Sequence, residues 1–430
     1  MYAMRLRRTR FVDLPLFSGR YFTLFVLFFT LVMEALIAEL HFPGSIRYLN
    51  DLLIFSLFLT MAVRPYRTAR VVGIPILIAT LVVFFVFSAS SIVNGVRIEL
   101  YLWASRNTFR GLVFFFACVT YLRKDDLPFI FDKLYVLQII SLVLALYQRF
   151  VLGLTMDYVG GIFGHGNGAG VNPFNALLFA YFLNQYLAGR TSVRKLVVVT
   201  LSSFIIAAVA EEKFTFVAFA VITLVSLLLT KVNTKVALAI VVVAVAGYVG
   251  MRILRTMYPA MFDILSSFDA IEGYLTSTSE GGYELPRVGS FSVIENLIFN
   301  NDPTKRLLGV GFGNGETSNF SFLVGPYYTL YGYLHYRWFT HQWTFFECGY
   351  LGFFAYLAFF IVVAVSLFAT RWKAGEEELS SLTCCFALSL CVIISIWYNA
   401  TLKTDMCYIS YFSLAIGFIA MKRKSEGAVR

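Results

Sequence analysis

The chain has 430 residues, 59% of them hydrophobic and 14% charged, where a soluble domain carries roughly 45–50% and about 25%. That balance excludes an ordinary soluble enzyme, and repeated apolar stretches of roughly 18–25 residues point to an all-α polytopic membrane protein. The net charge of +10 calls for no nucleic acid partner, because the lysines and arginines gather in short loops, where the positive-inside rule accounts for them.

Arg5, Arg7, Arg8 and Arg10 precede a first span too long for the apolar core of a cleavable signal. Apolar runs broken by charge or turn residues define about twelve spans. They fall near 21–40, 48–63, 71–93, 102–122, 128–152, 171–189, 195–210, 213–230, 236–254, 342–370, 380–398 and 406–421. The tenth run is long enough to be tilted. One side of this alternation holds Arg64, Arg67, Arg70, Arg123, Lys124, Arg190, Arg194, Lys195, Lys231, Lys235, Arg371, Lys373, Lys422, Arg423 and Lys424. Short loops on the other side carry little beyond Arg97 and Lys403. The expectation is one transmembrane domain over 1–430 with both termini cytoplasmic. The segment 255–341, too polar for a bilayer, is then a long external (periplasmic) loop between spans nine and ten.

Cys118, Cys348, Cys384, Cys385, Cys391 and Cys407 lie in or beside spans without metal-type spacing and read as small apolar residues. All four histidines, His41, His165, His335 and His341, fall on the outer side. His335 and His341 lack the i, i+4 spacing of a helical zinc pair, so no metal is expected, and no cofactor.

Three outer constellations carry polar chemistry. In Gly160-Gly-Ile-Phe-Gly-His165-Gly-Asn167-Gly-Ala-Gly170-Val-Asn172-Pro173, glycines permit positive φ and leave amides for an anion. Asn172 and Pro173 suit a helix cap and first turn; a flexible hairpin is the alternative. In Glu211-Glu212-Lys213, the lysine is either part of an exposed turn or a point charge for phosphate. In the long loop, Arg287 suits bidentate phosphate binding, or else a surface pair with Glu284 or Glu295. His341 titrates near neutral pH and suits proton transfer. Tyr331, Tyr333 and their aromatic neighbours stack on sugars or form an interfacial belt. Within the fourth span, Arg106 and Arg110 share a helical face, turned to a wet cavity or to a carboxylate such as Glu34.

Three motifs together resemble the O-antigen polymerase and O-antigen ligase superfamily of bacterial envelopes. They are Gly161-Ile-Phe-Gly-His-Gly-Asn-Gly168; Arg287 followed by Leu308-Gly-Val-Gly-Phe-Gly313; and His341-Gln342 followed by Glu347-Cys-Gly-Tyr-Leu-Gly352. Lys213 stands where many members carry arginine, and Gln342 replaces asparagine. The resemblance implies a fold like the GT-C glycosyltransferases and transfer of a glycan from undecaprenyl diphosphate at the periplasmic face of the inner membrane. Arg287 and Lys213 then bind the diphosphate, and His341, with Glu347 or Glu316 as substitutes, activates the acceptor hydroxyl. Arg106, Arg110, His165, Asn167, His335, Arg337, Tyr331, Tyr333 and Glu347 are the further substrate-binding candidates.

The partners implied are the lipid-linked oligosaccharide donor, a glycan or lipid-linked acceptor, the bilayer and a chain-length regulator. The expected activity is a metal-independent, inverting polymerisation of repeat units into O-antigen, capsule or exopolysaccharide. A ligase that transfers the glycan to the lipid A core shares this chemistry. A transporter is the alternative from another class, although matched, broken spans in two halves are not evident.

Overall fold

The computed structural model describes residues 18–63, 71–231, 234–276 and 284–422. Among them there is no strand. A helix occupies every stretch expected to span: α1 (Gly19–Ala38), α2 (Arg47–Ala62), α3 (Ile74–Val93), α4 (Ile98–Tyr121), α5 (Asp126–Phe150), α6 (Val171–Leu187), α7 (Val193–Val209), α8 (Lys213–Leu228) and α9 (Thr234–Met257). The long loop follows, and then α15 (Thr340–Arg371), α16 (Glu376–Ser395) and α17 (Cys407–Ala420). Among the described residues, seven helices can each cross a membrane by length and composition: α1, α2 with the turn before it, α3, α5, α9, α15 and α16. The protein is an all-α, multi-pass membrane protein.

The remaining helices fall short for identifiable reasons. α4 is 24 residues long but carries Glu99, Arg106 and Arg110. α6, α7, α8 and α17 have 17, 17, 16 and 14 residues, or roughly 21–26 Å at 1.5 Å per residue. Two of them are also protected: every residue of α17, and all of α6 except Pro173, is buried, whereas α8 exposes Val217, Leu224 and Leu228. Large apolar side chains such as Leu52, Phe85, Val143 and Val245 are exposed on the outer helices, as lipid contact requires. Buried polar side chains tie neighbours together. Gln138 of α5 donates to Asn175 of α6 at 3.1 Å, and lies 3.2 and 3.0 Å from the hydroxyls of Ser202 and Ser203 of α7. The six cysteines are free and buried, as small apolar residues are.

Connections between helices meet at two ends. At one, cations sit on helix termini. Arg371 donates to the Leu229 carbonyl at 2.9 Å, Lys422 to those of Thr120 and Leu122 at 3.1 and 2.6 Å, and Lys124 pairs with Glu377 and Glu378. The basic residues Arg5, Arg7, Arg8, Arg10, Arg64, Arg67, Arg70, Arg423 and Lys424 lie outside the described residues. The long loop occupies the other end. It is built from short helices: α10 (Pro259–Ser266), α11 (Phe268–Thr276), α12 (Ser290–Ile294), α13 (Pro303–Leu308) and α14 (Pro326–Tyr331). It begins at Tyr258 rather than 255, because α9 runs on to Met257.

The long tenth run is a broken helix rather than an uninterrupted tilted one. Gly349, inside α15, has φ 61° and ψ −161°. The break frees backbone carbonyls, and the Gly309–Gly313 turn fills the gap. Val310 and Gly311 donate their amides to the carbonyls of Phe346 and Glu347, each at 3.0 Å. A Cβ on Gly349 would lie 2.5 Å from the Arg306 carbonyl oxygen, so only glycine lets the two segments approach. Ser90 of α3 accepts the Phe312 amide at 3.1 Å and lies 2.9 Å from the Glu347 carbonyl.

Candidate functional site

The broken helix sets the position of Glu347. Its Oε1 accepts the Gly313 amide at 3.1 Å, and its Oε2 accepts from Lys403 Nζ at 3.3 Å. Both side chains are fully buried, and Lys403 also lies 4.2 Å above the Trp343 ring. Arg337 covers the same ring at 4.0 Å and donates to Glu316 Oε2 at 3.2 Å. Asn107 donates to that oxygen at 3.0 Å and accepts from Arg106 at 2.7 Å. Ion pairs, contacts with the Trp343 ring and the Asn107 amide therefore link Glu347 outward to Arg106.

The outer part of this network closes on itself. Arg106 pairs with Asp51, and Arg110 pairs with Asp405 while lying 3.8 Å from Asp51. Their partner is not Glu34, which instead takes both prongs of Arg47 at 2.7 Å and Asn167 Nδ2 at 3.1 Å. Arg47 comes from the start of α2. Burial pushes the Asp405 carboxyl up, but Arg110, Arg106 and Arg47 outweigh it and hold the group below the usual carboxylate range. His165 sits at the rim, exposed, 3.4 Å from Glu39.

A second cluster has a different character. The Arg287 guanidinium is half-buried between the rings of Tyr274, at 4.2 Å, and Phe339, at 4.9 Å. Its NH1 is 3.5 Å from the Tyr274 carbonyl, and its Nε has no hydrogen-bond partner among the described residues. The surface pair with Glu284 or Glu295 is not formed; Glu295 lies 3.7 Å from Arg306 instead. Lys213, at the start of α8, approaches the same Tyr274 ring at 5.2 Å and pairs with Glu211 at 2.9 Å. Two cations far apart in sequence thus share one ring. Beside them Glu212 is buried, and burial, then Asp157, raise its carboxyl well above the usual range.

His341 joins this cluster from beneath. Its Nε2 is 2.9 Å from the Arg287 carbonyl and its Nδ1 is 3.2 Å from the Ile396 carbonyl. The Ile396 carbonyl already accepts the His341 amide at 3.1 Å. Nε2 is therefore assigned the proton, and the ring is 1% exposed. Gln342 holds the Pro286 carbonyl at 3.0 Å. The His-Gln pair fastens the Arg287 segment to the first turn of α15.

Other candidates lie elsewhere. His335 takes φ 54° and stacks on Trp338 at 4.1 Å. Tyr331 is half-buried against Tyr327 and Phe346, and Tyr333 is exposed. The glycine-rich segment does not hold its amides ready for an anion: Gly161 donates to Gln148 at 2.8 Å, and Gly164, Gly166 and Gly170 donate to carbonyls of the same segment or of Tyr158. Asn172 is not a helix cap. It lies inside α6, donates to Glu212, and accepts from Thr215 at 2.9 Å.

Sequence reasoning passed over Asp51, Asp405, Asn107 and Tyr274. An aspartate three residues into a predicted span was a usable signal for the first; Tyr274 carried none. The chain matches no protein-family model, and no curated protein matches it significantly.

Proposed function

We propose that the chain is a membrane glycosyltransferase that polymerises undecaprenyl-diphosphate-linked oligosaccharides into an envelope polysaccharide. In this reading the seven long apolar helices and also α4, α6, α7, α8 and α17 cross the inner membrane in a GT-C-like arrangement, with termini in the cytoplasm and the loop end outside. One observation carries it: Arg287 and Lys213 converge on Tyr274, and Arg287 has no ion pair among the described residues. An aromatic-backed guanidinium with its charge unmatched suits a diphosphate.

The reaction breaks the bond from the anomeric carbon to the diphosphate oxygen, which leaves with the electron pair. A hydroxyl oxygen of the acceptor sugar forms the new bond from the opposite face. Charge grows on the departing diphosphate, so a fixed guanidinium favours the transition state over the ground state. The hydroxyl proton passes to a carboxylate. Glu211, whose Oε2 has no partner among the described residues, stands within ion-pair reach of Lys213. His341 acts as a positioning residue for Arg287, since both ring nitrogens face carbonyls.

The test uses purified protein in nanodiscs with a lipid-linked oligosaccharide. Release of undecaprenyl diphosphate in step with longer glycans is the expected result. In vesicles, movement of the substrate across the membrane without such release assigns the chain to transport instead.

A further inference from the structure

We propose that the partly exposed charged surface formed by Arg47, Arg106, Asp51 and Asp405 is a separate binding site for a neutral sugar ring. Its assignment as the acceptor's place rests on the glycosyltransferase reading; the binding itself does not.

The first argument is charge. Arg47 pairs with Glu34, Arg106 with Asp51 and Arg110 with Asp405. Every cation there is matched. An incoming anion must displace a resident carboxylate and leave it uncompensated, whereas a neutral polyol only adds hydrogen bonds. Carboxylates accept and guanidiniums donate, and a sugar hydroxyl does both.

The second argument is access combined with a flat wall. The side chains of Arg47, Arg106, Asp51 and Asp405 are 39, 24, 17 and 30% exposed, unlike Glu347 and Lys403 at 0%. The Arg106 guanidinium lies 4.7 Å from the Trp103 ring and 5.6 Å from that of Tyr48, which is exposed. Rings held this way offer a face to the C–H side of a pyranose.

The third is unfinished hydrogen bonding. Asp51 Oδ1, Arg110 Nε and the Tyr408 hydroxyl are buried without hydrogen-bond partners among the described residues, although Asp51 Oδ1 lies 3.8 Å from Arg110 NH1. Arg110 is only 5% exposed. Its guanidinium carbon lies 6.0 Å from the Tyr408 ring. Such groups are completed by a water or a ligand hydroxyl.

The experiment is saturation-transfer NMR on the full chain in nanodiscs free of glycosidic detergent. The probes are methyl β-glucoside, N-acetylglucosamine and, as the charged control, glucuronate. Saturation is expected to reach the ring protons of the neutral sugars and much less those of glucuronate. Asp51→Asn should weaken binding by about five-fold, the worth of one hydrogen bond. Tyr48→Leu, on an exposed position that cannot endanger folding as Asp51 can, should weaken it similarly. Arg287→Ala should leave it unchanged. No transfer to any hexose, equal or stronger transfer to glucuronate, or signals indifferent to both Asp51→Asn and Tyr48→Leu overturns the site. Loss of polymerisation in Arg287→Ala alongside absent sugar binding removes only this site. Intact sugar binding with a fully active Arg287→Ala removes only the diphosphate reading.

Discussion

Two charged regions share one end of the helix bundle and follow opposite rules. In the network from Glu347 to Arg47, each cation faces a carboxylate, and its deepest pair is sealed from solvent. In the cluster at Arg287, one guanidinium rests on two rings with no ion pair among the described residues, and the adjacent Glu212 is biased towards its neutral form. The first arrangement holds structure together, because removing either member strands a charge. In the reading proposed above, the second offers a guanidinium to a diphosphate.

Mutations can break this contrast. The largest effect on stability is expected from Lys403→Met, which leaves Glu347 buried and alone and should cost about 3–5 kcal/mol. Adding Glu347→Gln should recover much of it; thermal unfolding in one detergent compares the pair. A silent Lys403→Met would remove the balanced half of the comparison. Gly349→Ala comes next. It forces φ 61° on an alanine and drives a methyl towards the Arg306 carbonyl, a loss of roughly 1–3 kcal/mol. Its melting temperature should fall while Arg287→Ala stays near wild type. Tyr274→Leu removes the shared ring, weakening diphosphate binding through a cation–π loss of about 0.5–2 kcal/mol. A titration with pyrophosphate reads that directly.

The smallest expected effect concerns pH. Glu212 holds its proton in the folded state above the ordinary carboxyl value of about 4.3. As pH rises past that value, the unfolded state ionises first and the folded state loses stability relative to it. Glu212→Gln removes this penalty. Its melting temperature should exceed wild type at about pH 8 and converge with it near pH 4. Equal curves at both values would show Glu212 charged and the Arg287 cluster neutralised after all.

The helices were legible because lipid-facing runs are apolar whatever their neighbours do. A helix fills each predicted stretch, even α17, which touches protein on all sides. The break in α15 was not legible, although both glycine motifs were noticed. Their meaning lies in each other: Gly309 and Gly349 are needed because two backbones pass there. The charge partners were equally hidden. Arg106 finds Asp51 from 55 residues away and Arg110 finds Asp405 from 295, separations no local pattern encodes. His341 was singled out for its titration range, yet its carbonyl partners belong to two distant segments, and they turn it inward. Arg287 and Lys213 were paired through a resemblance; the ring that brings them together had no signature of its own.

In the proposed reaction the guanidinium of Arg287, without an ion pair among the described residues, stabilises a departing lipid diphosphate. The most direct measurement is the rate of undecaprenyl diphosphate release from a lipid-linked oligosaccharide by wild type, Arg287→Lys and Arg287→Ala, each confirmed to insert and melt normally. The account predicts a drop of about 10²–10³-fold for Arg287→Ala, with Arg287→Lys between because it keeps charge and loses the planar fork. Release at the wild-type rate by a well-folded Arg287→Ala protein would contradict it.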